Sequence, residues 1–262
     1  NKTGTSFWQT SARLIQGKAV WLNSTNAEGS SSGEMFDSNV GYGADNNGSN
    51  FQNFMFKRHA GFDVVTWKGD GVAGRYITHT GLGKTPEMIW LKRRSGSQDW
   101  IVYHKGLNGG SNPGEYELHL NNSNAEDRAS NFYDTDPTAT TFRVDSGQAT
   151  NYDGQTYIAM LFASVSGISS VGFYDGSSSA QTITTGFQPR FLILKNVSSG
   201  GDWYVLDTTR GWGSGNDEYL ILSGTQAQAS HDIGAPTSTG FTLTNNDEWN
   251  NASKKYIYYA HS

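Results

Sequence analysis

The amino-acid sequence predicts an all-β protein made of tandem antiparallel β-sandwich repeats, jelly-roll-like and each about 100 residues long. Three observations predict this fold. A long part of the chain recurs once, and its short apolar or alternating segments are separated by clusters of Gly, Asn, Ser and Asp. No stretch holds a 3.6-residue apolar period, so helices are not expected.

The repetition appears when residues 61–163 are compared with residues 167–260. The matched segments are, in order, 61–69 with 167–175, 86–92 with 189–195, 99–102 with 202–205, 116–120 with 218–222, 142–144 with 241–243, and 157–158 with 256–257. In this alignment Trp100 matches Trp203 and Trp67 matches Phe173. We expect the matched aromatic residues to fill equivalent interiors.

Residues 1–60 resemble the back half of a third copy. Residues 22–28 echo 120–126, Trp8 falls where Trp100 and Trp203 fall, and 54–56 fall on 160–162. The front strands of this copy are missing, and a half sandwich exposes strand edges and an apolar face. Either the chain is a fragment of a longer protein, which we expect, or a neighbour supplies the strands. The predicted domains are therefore 1–60 (incomplete repeat), 61–165 and 166–262.

Within each repeat the matched segments have the patterns that predict β-strands. Residues 87–92 and 190–195 are short apolar runs, which is typical of strands buried on both faces. Residues 116–120 alternate apolar and polar side chains, as do 142–144 and 241–243, which predicts half-buried strands. The Gly- and Asn-rich stretch 108–114 between them predicts turns.

Composition excludes several classes of function. The chain has 262 residues, 13% of them aromatic, so it can fill a core, and its net charge of −5 is accompanied by no basic tract. A nucleic-acid partner is therefore not expected. There is no cysteine to form disulfides or thiolate metal sites, and no apolar run long enough to predict insertion into a membrane.

The repeat motifs carry a family resemblance. Five segments carry it, in this order: Gly61 to Trp67, 86–92, 99–105, 120–126 and 157–162. Their order resembles that of an uncharacterised tandem domain of tail-fibre and virion-surface proteins of tailed phages, especially marine and cyanobacterial ones. The resemblance implies a place on a virus particle and a structural or host-recognition role. It supplies no catalytic residues to transfer.

We found no pattern that predicts catalysis, a metal site or a cofactor. Gly83, Lys84 and Thr85 lack the preceding glycine and the following helix of a phosphate-binding loop, and the six histidines are scattered. Asp99 and Asp202 occupy the same position in both repeats, whereas a glycosidase acid and base are built once and asymmetrically. We interpret both aspartates as structural.

Aromatic residues present in only one copy are the candidate contact residues. Trp212 and Trp249 lie in polar loops, and Asp247 lies beside Trp249, so an exposed indole there could stack on a sugar ring. Core packing remains the alternative for each indole. Tyr152 is a weaker candidate for the same role. Trp212, Trp249, Asp247 and Tyr152 are therefore the predicted ligand-binding residues.

The predicted function is that of a non-enzymatic virion-surface or tail-fibre structural protein of a phage, oligomeric and displaying or contacting the host surface. Its expected partners are other virion proteins, copies of itself and a host-surface glycan, and its expected location is the virion surface or the extracellular space. The alternative is a secreted carbohydrate-binding module of an adhesin or a glycan-active enzyme.

Overall fold

The structure, a computed structural model, describes residues 6–30, 34–35, 43–44 and 52–262. It is all-β, as the sequence predicts: the described residues form antiparallel sheets and short 3-10 turns, without an α-helix. The predicted ranges 1–60, 61–165 and 166–262 are called units 1, 2 and 3 below.

The strands of unit 1 are β1 (Gln9–Thr10), β2 (Lys18–Trp21), β3 (Gly29–Ser30), β4 (Glu34–Met35) and β5 (Gly43–Ala44). Those of unit 2 are β6 (Phe62–Lys68), β7 (Arg75–Thr78), β8 (Met88–Arg93), β9 (Trp100–His104), β10 (Tyr116–His119), β11 (Asp127–Arg128), β12 (Thr141–Val144) and β13 (Thr156–Phe162). Those of unit 3 are β14 (Ser169–Asp175), β15 (Gln181–Thr184), β16 (Phe191–Asn196), β17 (Trp203–Asp207), β18 (Asp217–Ile221), β19 (Ala229–His231), β20 (Pro236–Thr237), β21 (Gly240–Leu243) and β22 (Lys255–His261). The 3-10 turns are Arg13–Ile15, Leu107–Gly110, Pro113–Glu115 and Thr208–Arg210.

Units 2 and 3 have the same topology. The main sheet of unit 2 runs in the order β11-β10-β9-β8-β13-β6, and that of unit 3 runs β19-β18-β17-β16-β22-β14. A small second sheet accompanies each, β12-β7 in unit 2 and β15-β21-β20 in unit 3. The sheet β1-β2-β3 of unit 1 is the counterpart of β9-β10-β11, in the same register: Gln9 lies opposite Trp21 as Ile101 lies opposite His119.

The central strands of each main sheet are buried on both faces. In β8, Met88 and Trp90 face a core that all three units share, whereas Ile89 and Leu91 face an outer core private to unit 2. This arrangement explains why the strand is an unbroken apolar run, because both sets of alternating side chains leave water. Unit 3 has its own outer core.

The sequence alignment of Trp67 with Phe173 is wrong by one residue. Trp67 lies opposite Tyr157 in unit 2, and the residue opposite Tyr256 in unit 3 is Tyr174, not Phe173. The ring pairs are alike: Trp67 stacks on Tyr157 at 5.4 Å between centroids, and Tyr174 stacks on Tyr256 at 5.1 Å. Phe173 points to the other face of β14 and is 45% exposed, because successive side chains alternate along a strand.

Three tryptophan side chains join the units into a closed ring. Each indole nitrogen donates a hydrogen bond to the carbonyl oxygen of the last residue of β2, β10 or β18 in a different unit. The three bonds are Trp8 to Ile221 at 2.8 Å, Trp100 to Trp21 at 2.8 Å, and Trp203 to His119 at 3.0 Å. Unit 1 thus bonds to unit 3, unit 3 to unit 2, and unit 2 to unit 1.

A backbone hydrogen bond repeats at the same three junctions. The bonds run from Ser6 N to Thr225 O at 3.1 Å, from Gln98 N to Thr25 O at 2.9 Å, and from Gly201 N to Ser123 O at 2.7 Å. Trp100 and Trp203 are both fully buried in the shared core, as predicted, and occupy equivalent surroundings. Unit 1 therefore takes the place of a third repeat, although the described residues of unit 1 include no counterpart of β6 or β8.

Candidate functional site

Both tryptophans predicted to contact a ligand are buried. Trp212 is 3% exposed and Trp249 is 2% exposed, so the expectation of exposed indoles is wrong at both positions. Both rings belong to the outer core of unit 3. Trp212 donates from its indole nitrogen to Gly234 O at 2.8 Å, and Trp249 donates to the Thr244 hydroxyl at 3.1 Å. Both residues lie in loops, as the sequence predicts, but their indole side chains pack into the core.

Asp247 and Tyr152 lie at the surface but not together. Asp247 is exposed, its carboxylate accepts a bond from the Asn251 amide, and its backbone carbonyl accepts the Tyr256 hydroxyl at 3.0 Å. Tyr152, 47% exposed, donates its backbone N–H to the Tyr157 hydroxyl at 2.9 Å. Asp247 belongs to the loop before β22 and Tyr152 to the equivalent loop before β13, so they sit in different units.

A surface that the sequence reasoning missed lies on the small sheet of unit 2. Tyr76 on β7 and Tyr133 flank Arg143 on β12, with the guanidinium carbon 4.8 Å and 4.2 Å from the two ring centroids. Tyr76 is 62% exposed, the highest value among the tyrosines of the described residues. We call Tyr76, Tyr133 and Arg143 the tyrosine surface.

The local backbone holds this cluster in place. Arg143 lies directly opposite Tyr76 in the β12-β7 pair, and its Nε donates to Gly74 O at 3.0 Å. A Cβ at Gly74 would meet the Arg143 guanidinium at 2.4 Å and the Tyr133 ring at 2.8 Å, so glycine is required for the close approach. Tyr133 adopts a φ of 55°, a conformation that a bulky residue adopts only when its surroundings hold it there.

Unit 3 lacks these side chains. The register of β15 with β21 places Thr182 opposite Thr242, in the positions of Tyr76 and Arg143. The presence of these side chains in one repeat only was the sequence signal that could have revealed the tyrosine surface. Only the strand register, however, shows which residues of the two repeats correspond. Chemically, the arrangement offers two exposed tyrosine side chains and a guanidinium, a combination that suits contact with a sugar or a polar protein surface.

The repeated aspartates have a structural role. Asp99 accepts a bond from the Asn121 amide at 2.7 Å, and Asn121 accepts the Trp100 N–H at 2.7 Å. In unit 3 the Ser223 hydroxyl takes the place of Asn121: it donates to Asp202 at 3.0 Å and accepts the Trp203 N–H at 3.3 Å. Each carboxylate thus positions the residue that anchors a core tryptophan.

Two histidines of unit 2 have hydrogen-bonding partners. His104 is fully buried between units 2 and 3, where its Nδ1 accepts the Gly106 N–H at 3.0 Å and its Nε2 lies 3.3 Å from Tyr258 O. Burial lowers the pKa of His104 to about 3, so the ring is neutral. His119 lies 3.1 Å from a Glu117 carboxylate oxygen, and that hydrogen bond raises the pKa of His119.

Two buried lysines link neighbouring units. Lys92 donates to Thr25 O at 2.9 Å and to Gln98 O at 2.7 Å. Its counterpart Lys195 donates to Ser123 O at 3.2 Å and to Gly201 O at 2.6 Å. Burial lowers the pKa of each lysine to about 8.

Neither a metal site nor a membrane helix is found in the part of the chain that the structure describes. No three His, Asp or Glu side chains of these residues group closely enough to hold an ion. None of the helical turns here has the length and apolar character needed to cross a bilayer.

The fold and these surfaces define a tandem-repeat all-β protein whose repeats close into a ring. The chain belongs to the family described as a domain of unknown function, DUF7483, which matches residues 37–262. No curated protein matches the sequence.

Proposed function

We propose that the chain is a non-enzymatic structural protein of a phage virion surface or tail fibre, which displays or contacts the host surface. The observation that carries the proposal is the closed ring of three tryptophan hydrogen bonds. The ring fixes the repeats to one another through a shared core and buried polar links, and so provides a rigid support. A rigid support for surface loops is what a display protein needs.

The resemblance of the repeat motifs to virion-surface proteins supports the location on a virus particle. The expected partners are other virion proteins, further copies of the chain and a host-surface glycan. The repeated aspartates, which hold core tryptophans, support a role without catalysis.

A secreted carbohydrate-binding module is the second candidate function, and the tyrosine surface favours it. Tyr76 and Tyr133 are exposed beside a guanidinium on one unit only, and aromatic side chains are a common means of holding a sugar. Both functions allow glycan contact, so the location of the chain separates them.

The location can be tested with antibodies against the chain. Immunogold labelling and mass spectrometry of purified phage particles should detect the chain on virions, with the cell-free secreted fraction as the comparison. Detection only in the secreted fraction would contradict the virion proposal and favour the secreted module.

The contact role can be tested with matched variants. Tyr76→Ala together with Tyr133→Ala should weaken binding of the chain to host cells or to a glycan array by about tenfold or more. The control is Thr182→Ala, at the exposed unit 3 position that corresponds to Tyr76. Polysaccharide turnover that Asp99→Asn or Asp202→Asn abolishes would contradict the non-enzymatic role.

A further inference from the structure

Residues 52–57 form a segment that lies outside the assigned strands. Their exposure alternates: Gln52, Phe54 and Phe56 are half-buried, whereas the residues between them are exposed. In the part of the chain that the structure describes, no hydrogen bond reaches the backbone of 52–57. The matched strands β13 and β22 are each hydrogen-bonded on both sides, to β6 and β8 or to β14 and β16.

The segment is anchored where the counterpart of β13 would lie. Phe56, Phe162 and His261 are equivalent by sequence, and their rings meet in the structure. The centroid of the Phe56 ring is 6.1 Å from that of Phe162 and 6.4 Å from that of His261. Phe54 packs on Phe191 at 4.9 Å between ring centroids. Residues 52–57 are therefore a preformed strand edge.

An apolar cavity of about 690 Å³ lies beside this edge. Phe54 and Phe56 line it together with Trp8 and Leu14, and the Trp8 ring stacks on the Phe54 ring at 6.2 Å between centroids. The floor is the shared core, which contributes side chains from units 2 and 3: Phe62, Val64, Trp90, Met160, Phe162, Ile193, Val205 and Leu222.

Units 2 and 3 show what fills the equivalent place. There β8 lies beside β13 and β16 beside β22, and both strands send alternate large apolar side chains into the shared core. Each strand then carries the buried lysine, Lys92 or Lys195, which donates to carbonyl oxygens at the junction between units.

The acceptor for a third lysine is also in position. Thr225 is the counterpart of Thr25 and Ser123, and its carbonyl accepts the Ser6 N–H at 3.1 Å just as those two accept the matching N–H groups. Thr25 and Ser123 each also accept a lysine ammonium. Among the described residues no lysine reaches Thr225 O.

We propose that segment 52–57 and the adjoining cavity form a docking site for one β-strand from a further repeat of this family. The strand adds antiparallel to 52–57, places two large apolar side chains in the cavity and directs a lysine to Thr225 O. This is strand addition at a preformed edge, in which backbone hydrogen bonds give affinity and the cavity gives specificity. The inference does not depend on where the chain acts.

The test uses a synthetic peptide with the sequence of residues 86–94, the β8 strand with its flanks. Added to the intact chain, it should bind saturably by isothermal titration calorimetry and raise the melting temperature in proportion to occupancy. The same peptide with Trp90→Asp should bind about tenfold more weakly or worse. Absence of binding by the unmodified peptide to the folded chain would overturn the proposal.

Two further measurements separate strand addition from adhesion to an apolar surface. In the antiparallel pair the backbone N–H of Trp90 faces β13, so an N-methyl group there should abolish binding, and a scrambled peptide should not bind. Thr10 lines the cavity, and Thr10→Trp should fill it and block the peptide while the chain stays folded. Equal binding by the scrambled and native peptides would overturn the proposal.

Discussion

The indole nitrogen of Trp8 donates a hydrogen bond of 2.8 Å to the carbonyl oxygen of Ile221, 213 residues away. This bond joins unit 1 to unit 3, and the equivalent bonds of Trp100 and Trp203 make the other two junctions.

Trp8→Phe should lower the free energy of unfolding by about 1–2 kcal/mol, because the Ile221 carbonyl loses its partner while most of the ring contact with the core remains. Urea denaturation followed by tryptophan fluorescence and circular dichroism measures the change. The control is Phe7→Leu at the neighbouring exposed position, which should stay within about 0.5 kcal/mol of the parent. Equal stability of Trp8→Phe and the parent would contradict a role for the bond.

Trp100→Ala and Trp203→Ala should each cost about 3–5 kcal/mol, as large cavities in a close-packed core do. Because both indoles are fully buried in the shared core with equivalent bonds, the two losses should agree within about 1 kcal/mol. Denaturant midpoints with unchanged m-values test this. A loss below about 1 kcal/mol for either variant would be inconsistent with equivalent environments.

The sequence predicted the repeats, the strands buried on both faces and the roles of Trp100 and Trp203. These features depend on side-chain type and spacing, which a sequence displays directly. The ring of bonds was not predictable in this way, because its acceptors are backbone carbonyls of Trp21, His119 and Ile221, three equivalent residues whose side chains differ.

The candidate site was predicted poorly for related physical reasons. Polar neighbours made Trp249 appear exposed, yet its ring packs edge-on against Tyr204 at 5.6 Å inside the outer core. The tyrosine surface depends on which residue of β7 lies opposite which residue of β12. An alignment that is wrong by one residue places a side chain on the wrong face of the sheet, as the sequence alignment of Trp67 with Phe173 did.

Trp249→Ala should destabilise the chain by about 3–5 kcal/mol, since it empties a buried site in the outer core of unit 3. Tyr152→Ala, at an exposed position, should change stability by no more than about 0.5 kcal/mol. Thermal melts of both variants beside the parent measure the contrast. An unchanged melting temperature for Trp249→Ala would show that the indole is not part of the core.

Stability should rise with pH between about 8 and 10 because of Lys92 and Lys195. Burial lowers the pKa of both lysines from 10.5 to about 8, so in this interval the unfolded chain holds protons that the folded chain has released. Above about pH 10 the trend should reverse. Burial raises the pKa of Tyr256 to about 12, so the folded chain then keeps a proton that the unfolded chain loses.

Urea denaturation at several pH values from 7.5 to 11 measures this profile, and the expected result is a maximum near pH 10. The double variant Lys92→Met with Lys195→Met keeps an unbranched side chain of nearly the same length at both positions and removes both titrating groups. It should flatten the rising limb and leave the fall above pH 10, because the tyrosines are untouched. An unchanged rising limb in the double variant would assign the effect to other groups and contradict the role of the buried ammonium groups at the unit junctions.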